Sequence, residues 1–455
     1  MSTTESFSRF SSEVAALSNS NARSRLAMLF DNGCYTEIDR FAKNNGSECE
    51  VVAAFGEVNG TIVYAYAQSA DVNRGAMGKA QAAKITHVYD LATKTGAPVI
   101  AIFDSNGAHI SEGIEALEAY GDVIKAAGNV SGVVPQISVV AGPCIGSSAV
   151  LASLADVVIM TKDAEFFLTA PVTEGEGDSA AVAAKGGVAA LVVDDDKSAV
   201  ETAADILAYL PANNLSVPLM SEYVAAQGDT TVERVVDAGS FLELYAEYGL
   251  NVKTGFARVG GVSVGVIATN PEVNDGYICT CGAKKAAKFV RLCDAYSIPV
   301  ITIVDSMGLR ITEACDCTGG VKSVALLTAA YSEATTAKIT LVTGNAYAGA
   351  YVALVSSAAA PDMVFAWSEA AIGSLEPKTA VQLLYKERMM GGEKREDLEA
   401  EYITVKCSPF EAAALGCITD VISAEETAAK IANALDVLSS KRVSTLSKKH
   451  TNISL

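Results

Sequence analysis

Short apolar runs alternate along the chain with longer stretches in which apolar residues recur at helical spacing. PVIAIF (98–103) and PVITIV (299–304) are uninterrupted apolar runs rich in β-branched residues, and such runs are typical of buried strands. Residues 82–96 and 282–296 place alanine, leucine and other apolar side chains three or four positions apart, which predicts amphipathic helices. Strand, turn and helix in this order indicate an α/β layer fold.

The same pattern occurs twice, which indicates a tandem duplication. Five blocks of the first half resemble five blocks of the second half in the same order: 24–38 and 232–244, 55–68 and 256–269, 94–107 and 295–308, 141–160 and 343–365, and 186–199 and 415–428. The paired blocks lie about 200 residues apart until the last pair, which is further apart. We therefore predict one domain over 1–225, a second over 226–455, and a helical insert at 385–402 of the second.

Composition and charge narrow the class of protein. The chain has 455 residues, half of them apolar, and a formal net charge of −19. Nucleic acids and anionic membranes bind basic surfaces, so this acidic balance argues against both as partners. Ten cysteines behind a polar amino terminus, MSTTE, are typical of a reducing compartment. Because no run of about 20 apolar residues is uninterrupted, we expect a cytoplasmic protein, or one peripheral to a membrane complex.

Two turns made of small residues stand out as candidate chemistry. QISVVAGPCIGSSAV (136–150) and ITLVTGNAYAGAYVAL (339–354) each run from a predicted strand into a predicted helix. The first N–H groups of a helix have no partner within it, and glycine and alanine let a ligand approach them closely. Two such N–H groups aimed at one point form an oxyanion hole. Close packing of strand against helix would also explain the small residues, but their presence in both copies favours a functional interpretation.

Other kinds of site have little support. A Ser-His-Asp triad would need His109, and no GxSxG elbow accompanies it. No Walker GxxxxGK[ST] motif is present, which argues against a nucleotide triphosphatase. Two CxC pairs occur, at 279–281 and 315–317, whereas structural zinc sites mostly use CxxC spacing. We interpret these cysteines as free thiols and predict no metal.

Several segments taken together resemble the carboxyltransferase subunits of biotin-dependent acyl-CoA carboxylases and decarboxylases, of which the propionyl-CoA carboxylase β subunit is an example. The resemblance covers nearly the whole chain. The segments that carry it are DSNGAHISEGIEALEAYGDV (104–123), GPCIGSSAV (142–150), LPANN (210–214), residues 270–305, NAYAGAYVAL (345–354) and KKHTNISL (448–455). Singly none of these motifs is specific, whereas together they are.

This resemblance implies a fold and a mechanism. The fold would be a crotonase-like ββα spiral in each half. The reaction would move a carboxyl group between carboxybiotin and a short acyl-CoA, with biotin itself serving as the base. Two oxyanions develop, so two holes are needed. Gly146 and Ser147 would stabilise the acyl-CoA enolate, and Gly349 and Ala350 would stabilise the biotin ureido oxygen.

The resemblance also implies binding residues and partners. CoA would bind mainly to the first half, at Ala76, Gly78, Gly107 and Gly142, and the biotin side would use Gly319, Gly320, Tyr347, Tyr351 and Val352. No biotinyl-lysine motif occurs in the sequence, so biotin would be attached to a biotin carboxyl carrier protein. Other partners would be a biotin carboxylase or membrane decarboxylase subunits. Copies of the chain would assemble as a hexamer, a trimer of dimers in which the first half of one subunit faces the second half of another.

Departures from the family pattern leave the substrate and direction open. Ser147 replaces a glycine of the first hole, Val352 replaces a residue that is acidic in many relatives, and the loop 304–323 differs from the family's VPGFxPG sequence. Three functions remain. They are carboxylation of an acetyl- or propionyl-type acyl-CoA, decarboxylation of a malonyl-, methylmalonyl- or glutaconyl-type substrate by the α subunit of a sodium-pumping complex, and a non-catalytic scaffold.

Overall fold

The chain forms two compact units, Met1–Val217 and Pro218–Leu455. The computed structural model describes residues 3–17, 19–44, 47–169, 178–217, 220–310 and 319–448. Each unit is a mixed sheet with helices packed on it, which confirms the predicted α/β class. The domain boundary expected between 225 and 226 stays a prediction. Among the described residues, no helix combines the length and the apolar character needed to cross a membrane.

The first unit contains ten strands and seven α-helices in its described residues. The strands are β1 Tyr35–Ile38, β2 Lys43–Asn44, β3 Ser47–Glu48, β4 Val51–Val58, β5 Thr61–Gln68, β6 Val99–Ser105, β7 Gln136–Ile145, β8 Val157–Thr161, β9 Phe166–Phe167 and β10 Leu191–Val193. The helices are α1 Thr3–Ala15, α2 Asn21–Leu29, α3 Lys79–Thr95, α4 Ile114–Val130, α5 Ser147–Ser153, α6 Ala180–Lys185 and α7 Asp196–Leu207.

The main sheet of this unit has the order β1-β4-β5-β6-β7-β8-β10, with β9 paired to β7. The pairs β1–β4 and β4–β5 are antiparallel, and the pairs from β5 to β10 are parallel. Every residue of β6 is buried, as expected for a parallel strand covered on both faces. Helices α3 and α4 cover one face, and their apolar residues share a core with Tyr66 and Phe103 of the sheet.

The second unit contains ten strands and eight α-helices in its described residues. The strands are β11 Leu242–Leu244, β12 Val252–Val259, β13 Val262–Thr269, β14 Tyr277–Ile278, β15 Val300–Ser306, β16 Gly308–Leu309, β17 Lys338–Tyr347, β18 Met363–Trp367, β19 Ala371–Gly373 and β20 Asp420–Ile422. The helices are α8 Thr280–Ala295, α9 Gly320–Glu333, α10 Ala348–Leu354, α11 Pro377–Leu384, α12 Lys386–Met390, α13 Arg395–Lys406, α14 Pro409–Ala414 and α15 Thr427–Leu438.

The two sheets have the same topology, which confirms the duplication read from the sequence. The second sheet has the order β11-β12-β13-β15-β17-β18-β20, with β19 paired to β17. Each sheet also shifts register at the same place, between Phe103 and Ser105 in the first and between Val304 and Ser306 in the second. In each sheet the irregularity lies just before the small-residue turn.

In each unit an aspartate carboxylate accepts two main-chain N–H groups of the turn that joins the two antiparallel hairpin strands. In the first unit the Asp31 carboxylate accepts the main-chain N–H groups of Asn59 and Gly60, both at 3.0 Å. In the second unit the Asp237 carboxylate accepts those of the hairpin glycines 260 and 261, at 2.9 and 2.7 Å. A carboxylate that receives two N–H groups of a turn fixes the turn, so the duplication has preserved this anchor as well as the strands.

The insert predicted at 385–402 is helical and shares a small core with the neighbouring helix α11 and the end of β17. Helices α11 to α13 pack Ala380, Val381, Leu398 and Tyr402 against Tyr347. Two carboxylates, from Glu393 and Glu401, accept the Arg388 guanidinium at 2.7 and 2.8 Å at its surface. The insert therefore covers the residue that ends β17.

Candidate active site

The first small-residue turn lies where β7 ends and α5 begins. Gly146 has φ 65° and ψ −128°, a conformation that residues with a Cβ rarely adopt. No side chain of the described residues caps the helix start, and the N–H groups of a first helical turn have no partner within the helix. The Gly146 N–H itself donates to the Phe167 carbonyl oxygen at 2.9 Å. The Ser147 N–H, the first of the helix, is therefore the better placed donor.

The second small-residue turn lies where β17 ends and α10 begins. Ala348, the first helical residue, has φ 49°, and within the described parts of the chain no side chain caps this helix start either. A Cβ on Gly349 would lie 2.6 Å from Leu309 Cδ1, so the glycine lets β16 pack closely against the turn. Ala350 is fully buried. Of the two predicted hole residues, Gly349 is the more accessible.

Three of the four predicted CoA-binding residues share one strip of the first unit. Ala76 ends a 3-10 turn and Gly78 precedes α3. The Met77 N–H between them donates to the Gly107 carbonyl oxygen at 2.8 Å. A Cβ on Gly107 would lie 3.3 Å from the Ile145 carbonyl oxygen. The strip therefore lies directly beside the first small-residue turn.

Gly142, the fourth predicted CoA contact, packs against a buried ion pair. A Cβ on Gly142 would lie 2.4 Å from Asp104 Oδ1. Asp104 Oδ2 accepts a hydrogen bond from the Arg25 guanidinium at 2.6 Å, and Asp196 accepts another at 2.7 Å. Burial disfavours the Arg25 charge, but these hydrogen bonds raise the pKa of its guanidinium above its usual value. Close approach to Asp104 is thus one reason for a glycine here.

In the second unit a glycine also packs against an aspartate carboxylate, but this carboxylate binds an asparagine and not an arginine. A Cβ on Gly344 would lie 2.5 Å from Asp305 Oδ1. That oxygen accepts the main-chain N–H of Asn345 at 2.8 Å and its side-chain amide at 3.0 Å. The carboxylate therefore orders the strand end that leads into the second turn.

The other predicted biotin-side residues are in different surroundings. Gly319 has φ 81° and precedes Gly320, the first residue of α9. Tyr347 is 1% exposed, and burial raises its pKa, so its ring is part of the core. Burial also raises the pKa of Tyr351 to about 12. Val352 is half exposed. Cys315 and Cys317 lie outside the described residues.

A group of charged side chains that the sequence did not reveal lies beside the second turn. The Tyr277 hydroxyl donates to the Glu376 carboxylate. The Arg310 guanidinium lies 3.8 Å from the centroid of the Tyr277 ring and 2.7 Å from Asp275 Oδ2. The hydrogen bond from Tyr277 holds the pKa of Glu376 below its usual value. Tyr277 and Leu309 belong to the paired strands β14 and β16. This cluster therefore supports the strand pair whose Leu309 contacts Gly349.

Comparison with known proteins assigns the chain to one family. A family model described as carboxyl transferase domain matches residues 17–453. Methylmalonyl-CoA decarboxylase subunit alpha of Propionigenium modestum is 34% identical over 481 residues, which cover 95% of this chain and 93% of that protein. The mitochondrial propionyl-CoA carboxylase beta chain of Sus scrofa is 35% identical over 478 residues, which cover 95% of this chain and 88% of that one.

A solved structure agrees with these relatives. The crystal structure of transcarboxylase 12S, described as a hexamer with methylmalonyl-CoA and methylmalonic acid bound, has a TM-score of 0.90 and 32% sequence identity to this chain. The match covers 98% of this chain and 94% of that one, and it confirms the predicted α/β fold of crotonase-like units in succession. The chain therefore belongs to the carboxyl transferase domain family and is a biotin-dependent acyl-CoA carboxyltransferase.

Proposed function

We propose that this chain transfers a carboxyl group between carboxybiotin, held on a carrier protein, and a short acyl-CoA of the acetyl or propionyl type. The observation that carries the proposal is the small-residue turn found at the same place in both sheets, each followed by a helix start that no side chain caps among the residues the structure describes. Two such turns would serve the two oxyanions of carboxyl transfer. Relatives named for propionyl-CoA and methylmalonyl-CoA support a short acyl chain.

On the acyl-CoA side, main-chain donors would hold the charge that develops. Loss of the α-proton moves negative charge onto the thioester oxygen, and donors fixed in advance stabilise that charge more than they stabilise the neutral thioester. The Ser147 N–H would be the principal donor. The Gly146 N–H would join it only by giving up its hydrogen bond to Phe167.

On the other side, the second turn suits a neutral cyclic urea. Residues 343–354 contain no charged side chain, so the donors would be the main-chain N–H groups of Gly349 and Ala350. When bound, biotin would supply the carboxyl group and accept the α-proton. Leu309, which packs against Gly349, would limit the space beside the ring. The carrier protein itself would bring biotin to this unit.

The first test removes one N–H group at a time. Ser147→Pro and Gly349→Pro place proline in the first turn of a helix, where its missing N–H breaks no helical hydrogen bond. Loss of one oxyanion donor typically lowers kcat by about 10² to 10³. We therefore expect each variant to lose carboxyl exchange between propionyl-CoA or methylmalonyl-CoA and biotin by roughly that factor. Ser147→Ala keeps its N–H group and should keep most of the activity. Gly349→Ala keeps the N–H group but adds the Cβ that would meet Leu309 Cδ1, so the loss in Gly349→Pro beyond that in Gly349→Ala measures the N–H group.

The assay uses the purified full chain with free biotin or a biotinylated carrier and a panel of CoA thioesters, scored for carboxylation and for decarboxylation. Exchange at wild-type rates in both proline variants would contradict the assignment of both turns. Failure of the wild-type chain to exchange any thioester would favour the non-catalytic scaffold. Decarboxylation without carboxylation would favour the decarboxylase direction.

We further propose that the chain assembles as a homo-hexamer. The transcarboxylase 12S structure is described as a hexamer, and its fold matches nearly all of this chain. Light scattering on the purified protein should give a mass six times that of the 47.0 kDa chain. A monomeric mass at working concentration would contradict the proposal.

A further inference from the structure

Glu50 is a buried carboxylate that binds side-chain amides. It is 2% exposed and lies immediately before β4. Asn44 Nδ2 donates to its two oxygens at 3.2 and 3.4 Å, Asn73 Nδ2 donates at 2.6 Å, and Gln81 Nε2 donates as well. The ion pairs of the described residues do not include Glu50. A buried carboxylate without a cation requires hydrogen bonds that replace its hydration, and these three amides supply them.

The amide partners lie at both ends of the strip expected to receive CoA. Asn73 begins the 3-10 turn that precedes Ala76, and it has φ 45°, a conformation that needs support from its surroundings. Gln81 lies in the first turn of α3, and its Oε1 accepts the Gly78 N–H at 3.0 Å. One carboxylate therefore holds the segment 73–81 at its two ends.

The second unit has no carboxylate at the position that corresponds to Glu50. Asn251 stands immediately before β12 as Glu50 stands before β4. The side-chain amides of Asn251 and Asn274 both donate to the Tyr277 carbonyl oxygen, at 2.8 and 2.9 Å. A neutral amide thus takes the place of the Glu50 carboxylate beside this turn. The charge at Glu50 belongs only to the copy that carries the expected CoA strip.

We propose that Glu50 is a positioning residue for acyl-CoA, which acts by holding residues 76–78 in the shape that receives the ligand and does not touch it. This inference rests on the proposed function. A carboxylate only accepts hydrogen bonds, whereas an amide also donates two. In Glu50→Gln the side-chain N–H groups of the new glutamine would face the N–H groups of the neighbouring amides, where no acceptor lies between them. One end of the segment 73–81 would then be released.

The test measures propionyl-CoA binding by titration calorimetry, and then the KM values for propionyl-CoA and for free biotin in the exchange reaction. Glu50→Gln should bind propionyl-CoA about tenfold more weakly, a change of ~1.4 kcal/mol, and should keep the KM for biotin. The matched control is Glu57→Gln, which removes the same charge from an exposed position on β4 and should match the wild-type chain.

A double variant separates positioning from loss of stability. In Glu50→Gln with Gln81→Glu the carboxylate moves to its partner, and a glutamate at this helix position can still accept the Gly78 N–H. We expect it to recover part of the lost affinity. Wild-type affinity in Glu50→Gln, or equal losses for propionyl-CoA and biotin, would overturn the inference while leaving the proposed function intact. If the wild-type chain binds no propionyl-CoA, the proposed function and the inference fall together.

Discussion

At the scale of residues, lysines buried among main-chain carbonyl groups show how side chains support the sheets. Lys285 on α8 is 3% exposed, and its Nζ donates to the carbonyl oxygens of Tyr245 and Tyr248 at 2.7 and 3.0 Å. Burial lowers its pKa to about 8. Lys84 on α3 donates to the Val51 carbonyl oxygen at 2.9 Å in the first unit. Both lysines lie on the helix that follows the 3-10 turn, so they tie this helix to the chain near the start of its sheet.

This lowered pKa predicts a pH dependence of stability. Between the folded pKa of about 8 and the higher pKa of the unfolded chain, the unfolded state binds more protons at Lys285, so this residue makes stability rise with pH there. A tenfold difference in proton affinity between the two states corresponds to ~1.4 kcal/mol. The free energy of unfolding, measured with denaturant, should be lower for Lys285→Met than for the wild-type chain. This difference should be larger at pH 10 than at pH 7.

The exposed Lys322 provides the control for that measurement. Lys322→Met removes the same charge and should show no deficit that grows with pH. A deficit of Lys285→Met that stays constant from pH 7 to pH 10 would show that this lysine is protonated in the folded state throughout.

At the scale of elements, the short paired strands β14 and β16 form the support of the second turn. Leu309 on β16 contacts Gly349, and β14 is held by the hydrogen bond from Tyr277 to Glu376, the residue that precedes α11. Arg310 stacks on the ring of Tyr277. The position of Leu309 therefore depends on a side-chain contact between residues far apart in the sequence.

Tyr277→Phe keeps the ring and removes this hydrogen bond. A hydrogen bond to a charged group contributes about 1.5–3 kcal/mol, so its loss should loosen the strand pair β14–β16. We expect the KM for biotin to rise several-fold, whereas the KM for propionyl-CoA should stay the same. Exchange kinetics measured with each substrate varied in turn would check this. Tyr223→Phe, at an exposed tyrosine, should behave as wild type, and an unchanged KM for biotin in Tyr277→Phe would exclude the supporting role.

At the scale of the whole molecule, exposed apolar residues lie around the boundary between the two compact units. Leu215, Val217, Met220 and Tyr223 are between 67% and 92% exposed. Exposed connections are the first sites that proteases cut in a folded chain. The segment is therefore the weak point of the backbone unless another subunit covers it.

Brief chymotrypsin digestion should cut first at Leu215, Met220 or Tyr223 and give two fragments that remain folded. Mass spectrometry of the earliest products would identify the sites, and replacing the three residues with serine should slow the cut. Resistance of this segment in the wild-type chain, with first cuts elsewhere, would show that it is covered in the assembled protein.

The duplication and the α/β fold could be predicted because both leave regular patterns in the sequence. The apolar runs 98–103 and 299–304 became the central strands β6 and β15, and the small-residue turns lie where the sequence predicted them. The amide partners of Glu50 and the pair formed by Tyr277 and Glu376 could not be predicted. Asn44 lies 6 residues from Glu50, but Asn73 and Gln81 lie 23 and 31 residues away, and Glu376 lies 99 residues from Tyr277. These residues join no periodic pattern, so only the folded chain brings them together.

The two glycines that approach aspartates, Gly142 and Gly344, have different consequences when a side chain replaces their hydrogen. Alanine at Gly142 would push Asp104 away from Arg25, and the damage would fall on the amount of folded enzyme. Alanine at Gly344 would disturb the hold of Asp305 on Asn345, at the strand end that leads to the biotin turn, and the damage would fall on turnover. Two substitutions of the same kind would thus have different effects, the first on the yield of folded protein and the second on the turnover of protein that is already folded.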